Sequence, residues 1–302
     1  MYKDAVQGMK NDSGSFTNEV LQSSSTLFDD GKLLAYDEII DQANKGKIDL
    51  VSELWTLRGK CGADMTVAKC NAMIEVFLNS NYPAPGNKHL AEIFGKYLEY
   101  EEFMKATPIS SDLKDKERFE QVQKYRRKFF GEKDAKLVFG YEEAKTEYTD
   151  ALSTFLQSTK NDKFDSRQKA YETLRKNNLG QYYNQVVSLE SPFDKYQMEL
   201  NLKSSDLSKL NESQNKEQVK EMRTKYFGKE ANLRMEKVDE EIKVRDQKMN
   251  QYKKDETKFL SENAGLSEKD KQKKLQEFRE KNLGKEEAEN YTRMETLENY
   301  KE

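Results

Sequence analysis

From about residue 32 to the C-terminus, apolar positions recur at the alternating three- and four-residue steps of amphipathic helices. Before residue 30 there is little pattern, and "QSSSTLFDDGKLL" ends that stretch with a turn expected at Asp30-Gly31. A short helix is predicted after Asp49, with Leu54, Leu57 and Trp55 on its face. Asp64 is expected to cap the next helix, whose one side carries Val67, Met73, Ile74, Phe77 and Leu78. "NYPAPGNK" breaks the spacing, which resumes at Leu90, Ile93, Phe94, Tyr97, Leu98 and Met104. Residues 32–106 therefore read as a small bundle of three or four helices, closed by a loop at Pro108. Beyond Ser111 the only proline is Pro192, and the remaining helices are punctuated at Gly131, Gly140, Gly180 and Pro192. Lys229 to Leu260 reads as one helix with a seam of Met235, Val238, Ile242, Met249, Tyr252 and Phe259, interrupted by Arg245 and Glu256. Such a seam predicts packing against other helices. Ser267 and Asp270 open a further helix.

Two segments occur twice. "RRKFFG" (Arg126–Gly131) returns as "RTKYFG" (Arg223–Gly228), and "YETLRKNNLG" (Tyr171–Gly180) returns as "LQEFREKNLG" (Leu275–Gly284). Asn-Leu-Gly reads as a helix stop in which glycine takes the left-handed conformation just past the last turn, and Gly131 and Gly228 are expected to do the same. The fold class is all-α, an elongated array in which related helical units recur.

Composition sharpens this picture. Only 35% of residues are hydrophobic and 35% are charged, against roughly 45–50% and 25% in ordinary globular chains. That balance suits slender helices with one narrow apolar stripe each. The 16 Tyr and 15 Phe argue against a disordered chain, and only four Pro and fourteen Gly argue against an all-β fold. Acidic and basic residues are mixed along the sequence with a net charge of −3, so no basic stripe exists to bind nucleic acid. There is no run of 18 apolar residues to span a membrane, and the polar N-terminus lacks a signal core.

Candidate chemistry is sparse. A Ser-His-acid or Cys-His site would have to use His89, the one histidine, which follows a loop among polar residues. One His and two Cys are too few for a zinc site. "NDKFDSRQKAYE" has Asp165 and Glu172 at calcium-loop spacing, but Lys163 and Ser166 occupy positions where a ligand and a glycine are needed. The chain is expected not to be an enzyme and to hold no cofactor or metal. Cys61 and Cys70 would lie about 13 Å apart on one straight helix, and a break at Gly62-Ala63-Asp64 would let them meet. A disulfide and two buried thiols are both open, and an oxidising compartment favours the bond.

"YRRKFFGEKDAKLVFGYEEAKTEYTDAL" brings in a resemblance. The chain is similar to the lipase-specific foldases, the steric chaperones of bacterial secreted lipases. Arg126–Gly131, Phe139–Ala144 and Arg223–Leu233 match that family's Arg-x-x-aromatic-Phe-Gly and Phe-Gly-Glu-Glu-Ala type segments. "YPAPGNKHLAEIFGKYLEYEEFM" resembles its Pro-Ala-Pro loop and following helix, and "DDGKLL" its Asp-Gly-x-Leu entry. The likeness covers residues 29–34 and 82–302 and is strongest over 120–150 and 219–297.

The resemblance implies two helical minidomains flanking an extended helical arm that curves around the lipase. On this sequence that gives a flexible segment at 1–30, a first minidomain at 31–108, an arm at 109–216 and a second minidomain at 217–302. It implies a lipase or other secreted hydrolase as partner, a periplasmic location, and a membrane anchor that this sequence does not contain. The family's first-minidomain signature, Arg-x-x-Phe-Asp-Tyr, has no intact copy. The nearest run is "KGKIDLVSEL", with Lys45, Ile48, Asp49 and Leu50 at its core positions; a second alignment sets it near Trp55 with no identities. Partner contacts are therefore expected at Lys45, Ile48, Asp49 and Leu50, and at the motif residues Arg126, Phe130, Arg223 and Phe227. The altered signature leaves a second reading, a foldase-like binding or adhesion protein without chaperone activity. The same implied compartment predicts that Cys61 and Cys70 are bridged.

Overall fold

The computed structural model describes residues 28–29, 32–61 and 65–299. The segment expected to be flexible over 1–30 lies outside them but for Phe28–Asp29, as do the turn at Asp30-Gly31 and the cap at Asp64. The fold is all-α apart from one small pairing, β1 (Phe28–Asp29) antiparallel to β2 (Lys32–Leu33). It divides into two compact units, residues 1–215 and 216–302.

In the first unit, α1 (Tyr36–Asn44), α2 (Leu50–Arg58), α3 (Val67–Asn81) and α4 (Gly86–Ala106) follow one another. Asp49 starts α2 by accepting hydrogen bonds from the Val51 and Ser52 amides at 3.0 and 3.1 Å. Thr66 starts α3 in the same way, through the Lys69 amide. The predicted stripes supply the core: Leu54, Leu57, Ile74, Phe77, Ile93 and Phe94 are all buried. Two expectations fail there. Val67, the first residue of α3, is 63% exposed, and Trp55 is 40% exposed. Leu50, Leu54 and Leu57 form the buried stripe of α2, and Trp55 stands beside it.

The same core takes in the next helix, α5 (Asp115–Ser158), which turns a corner at Gly131. Around that corner Phe130, Ala135, Leu137, Val138 and Phe139 are buried against α4, with the Tyr100 ring 6.0 Å from Phe130 and 5.7 Å from Phe139. A second, smaller core joins the far arm of α5 to α6 (Phe164–Leu179) and α8 (Pro192–Leu202) through Phe155, Tyr171 and Leu202. Between α6 and α8 lies α7 (Tyr183–Leu189), and α9 (Ser204–Leu207) follows α8.

The second unit holds most of α10 (Glu212–Phe227), then α11 (Lys229–Glu262), α12 (Glu268–Leu283) and α13 (Lys285–Asn299). The single long helix expected from Lys229 is α11. Its seam is half-buried at Met235 and best covered toward the C-terminal end, where Tyr252 is buried and Phe259 stacks on Phe278 at 4.6 Å. Val238 and Ile242, expected to pack, are 51% and 41% exposed.

Candidate functional site

The two sequence repeats resolve into one device. Gly131, Gly180, Gly228 and Gly284 all have positive φ, and each follows an arginine by five residues: Arg126, Arg175, Arg223 and Arg279. None of the four adopts the expected left-handed helix stop, and Gly180 has φ 50° with ψ −123°. Gly131, Gly228 and Gly284 have φ of 72–87° with ψ of 159–174°, an extended positive-φ region open almost only to glycine. That conformation lets a new helix start at once in a new direction, so each glycine is a corner rather than a stop.

The arginine then reaches across the corner. Arg126 holds both carboxylate oxygens of Glu142, at 2.9 and 3.0 Å, and Glu143 at 3.2 Å, with its guanidinium 4.2 Å from the centre of the Phe139 ring. Burial would pull the Arg126 pKa down, but its bonds to Glu142 more than reverse this, so the guanidinium stays charged. Arg175 binds Glu172 and Glu190. Arg223 binds Asp239 through two nitrogens. Arg279 binds Thr292 beyond its corner and, at 2.7 Å, Glu256 on α11. Tyr252 donates to the same carboxylate, and burial followed by that bond pushes its phenol pKa well up.

These contacts decide what the expected partner residues can offer. Arg126 and Phe130 are buried at 7% and 3% exposure, so they shape the corner instead of lining an accessible surface. Arg223 and Phe227 are half-buried. At the entry to α2, Ile48 and Leu50 are core residues at 5% and 2% exposure. Lys45 and Asp49 are exposed, but Lys45 pairs with Asp41 at 2.6 Å and Asp49 caps α2. Beside them stands a residue that periodicity did not assign to a site. Trp55 donates its indole N–H to Tyr97 at 3.1 Å, with the Arg58 guanidinium 4.0 Å from the ring centroid and Arg58 held by Glu101 at 3.2 Å. Its being the chain's one tryptophan was the available signal. Cys61 and Cys70 are joined, with a Cα separation of 5.7 Å, tying the end of α2 to α3.

His89 is a structural clasp. Its Nδ1 lies 2.7 Å from the Tyr36 hydroxyl and its Nε2 3.0 Å from Asp134, whose other oxygen accepts from Lys96 at 3.1 Å. Burial raises the Asp134 pKa, but the bonds from His89 and Lys96 outweigh it, and the pKa lies below the ordinary 3.8. A carboxylate depressed in the folded state stabilises above its unfolded value and loses that contribution as pH falls through the folded one. Asp134→Asn is thus expected to lower the urea midpoint at pH 7, and the gap from wild type should close as the pH falls below 3.8.

Helices joined at clamped corners define an all-α protein built of bent helical units. The model of the proteobacterial lipase chaperone protein family matches residues 93–288, about two-thirds of the chain, and the chain belongs to that family. No curated protein and no solved structure matches it. The match spans all four corners and begins within α4, beyond Lys45 to Leu50. The protein is a lipase-chaperone family member, and that family is one of chaperones, not catalysts.

Proposed function

We propose that the protein is a periplasmic steric chaperone that binds a secreted lipase or lipase-like hydrolase and helps it reach its active fold. The family match across the four corners carries this reading. No chemistry by the chaperone is required: contacts made better with the native-like hydrolase than with earlier forms lower its folding barrier. The exposed face at the start of α2, with Lys45, Asp49 and Trp55, is the activating surface, and Ile48 and Leu50 hold it in place from beneath. Arg126 and Phe130, like Arg223 and Phe227, set the corner angles and so the surface the hydrolase meets. The Cys61–Cys70 bond supports an oxidising compartment.

A binding or adhesion protein without chaperone activity is the second reading, favoured by the match beginning only at residue 93. Refolding of a urea-denatured secreted lipase from the same organism, with and without the protein, separates the two. The chaperone reading expects active enzyme to be recovered only with the protein present; binding without recovered activity supports the second.

Asp49 is tested in the same assay with two variants. Asp49→Ala removes both charge and cap and is expected to cost about 1 kcal/mol of stability. Asp49→Asn keeps a good capping side chain but removes the charge, so its melting temperature should match wild type. A reduced yield of active hydrolase with Asp49→Asn is expected if the carboxylate acts on the partner. Full yield with that variant assigns Asp49 to capping alone.

A further inference from the structure

An open groove of about 860 Å³ runs between α3 and α4 on the outside of the first unit. Its floor is made of Val67, Ala68, Ala91, Gly95 and Leu98. Gly95 sits inside α4, where glycine is the poorest helix former after proline. Its backbone is not in the positive-φ set, and a Cβ there would meet no atom within 4 Å. Nothing among the described residues requires a glycine at that place. A side chain would instead raise the floor against whatever lies in the groove. Val67 points the same way, since an apolar residue at 63% exposure gains from being covered.

The rim is acidic. Glu75, Glu92, Glu99 and Glu102 line it against Lys88 and Lys96. Lys96 is already held by Glu92 at 2.8 Å and Asp134 at 3.1 Å, so the rim charge left over is negative. In addition, Glu75 Oε2 is buried with no hydrogen-bond partner. A buried carboxylate oxygen lacking a donor is costly, and a Lys or Arg set over the Glu75 side chain from the groove would offset its charge.

Lining residues run from Val67 to Asn79 on α3, about 18 Å at 1.5 Å per residue, or some three helical turns. A groove of that length, low where Ala91 and Gly95 line it and bordered by acidic side chains, fits one kind of occupant. We infer that this groove docks a basic amphipathic helix of the partner hydrolase, with small or apolar residues against Ala91 and Gly95 and Lys or Arg toward Glu75, Glu99 and Glu102. The inference rests on the chaperone reading above and assigns it a second contact, distinct from the start of α2.

The decisive variant is Gly95→Leu in the full chain. Leucine is the better helix former and has open space, so the thermal midpoint should equal or exceed that of wild type. Affinity for the secreted lipase used in the refolding assay, measured by calorimetry, should fall at least tenfold. Gly95→Ala should raise the midpoint with a smaller loss, which guards against misfolding of the leucine variant. The double variant Glu99→Lys, Glu102→Lys should weaken binding most at low salt. A photo-crosslinker at Val67 should capture a basic helical segment of the hydrolase. Binding by Gly95→Leu within twofold of wild type would overturn the inference, as would capture of an acidic or non-helical segment. Wild-type self-association that Gly95→Leu abolishes would overturn it in favour of a second copy. If wild type itself fails to bind the hydrolase, the chaperone reading fails and this occupant with it.

Discussion

Arg279→Met is expected to destabilise the second unit by about 3–5 kcal/mol, the usual cost of leaving one member of a buried ion pair without its partner. The unit has little apolar core: Met222, Tyr252 and Ala288 are its fully buried hydrophobic residues among those described. Beside the aromatic contacts of Phe259 and Tyr252 with Phe278, α11, α12 and α13 are joined by a polar knot in which Glu256 accepts from Arg279 at 2.7 Å and from Tyr252 at 2.7 Å, while Arg279 also donates to Thr292. Arg279 is 3% exposed and Glu256 is 7% exposed, so water cannot replace the lost guanidinium. A typical domain is held by only about 5–15 kcal/mol, so the variant should be near or past its folding threshold. Limited proteolysis reads this directly, because new cleavage should appear between residues 216 and 299 while the first unit stays protected. Adding Glu256→Leu to the variant should restore much of the loss, since an apolar pair of similar volume avoids the buried charge. A single variant as resistant as wild type would mean that the knot does not hold the unit together.

The sequence made most of the helices legible because their apolar stripes, though narrow, keep strict spacing: Ile93 and Phe94, or Ile74, Phe77 and Leu78, needed only to be counted. It also marked the corners, since only glycine suits those positions. The corner conformation was not legible. A left-handed stop and an extended positive-φ corner both call for glycine, and the choice is made by whether Lys229 or Lys285 begins a helix at once. The link between the two repeats was written in the sequence as arginine five residues before glycine, but aromatic-Phe-Gly and Asn-Leu-Gly look like different motifs until both are seen to bend the chain. Spacing identified the seam of α11 without saying what covers it, because periodicity reports a face and not its neighbour. At the candidate site, Asp49 was recognisable both as a cap and as a signature residue. The burial of Ile48 and Leu50 beside it depends on a core assembled from residues far along the chain, such as Phe94 and Phe139.

The repeated motif also offers a comparison in which the same substitution should give different results. Arg126→Met removes a guanidinium at 7% exposure that binds Glu142 and Glu143 and lies over the Phe139 ring. Glu143 keeps Arg127 at 2.6 Å, and the Glu142 side chain is 64% exposed and can be solvated, so the loss should fall below that of a fully stranded charge. About 2–3 kcal/mol is expected, from charge-assisted hydrogen bonds and ring contact together. Arg223→Met breaks the equivalent clamp, but Asp239 is 53% exposed. Its cost should be under about 1 kcal/mol, as for other solvent-exposed pairs. Urea unfolding of the two variants measures the difference, and high salt should erase the Arg223 effect while leaving most of the Arg126 effect. The functional consequence runs the other way from a contact hypothesis. If Arg126 acts only by fixing the corner, its variant should fail to activate the hydrolase to the extent that its unfolding midpoint drops, and activity should return when a stabilising substitution elsewhere in the first unit restores that midpoint. Activation that stays lost at restored stability would instead show the hydrolase reading the Arg126 side chain itself.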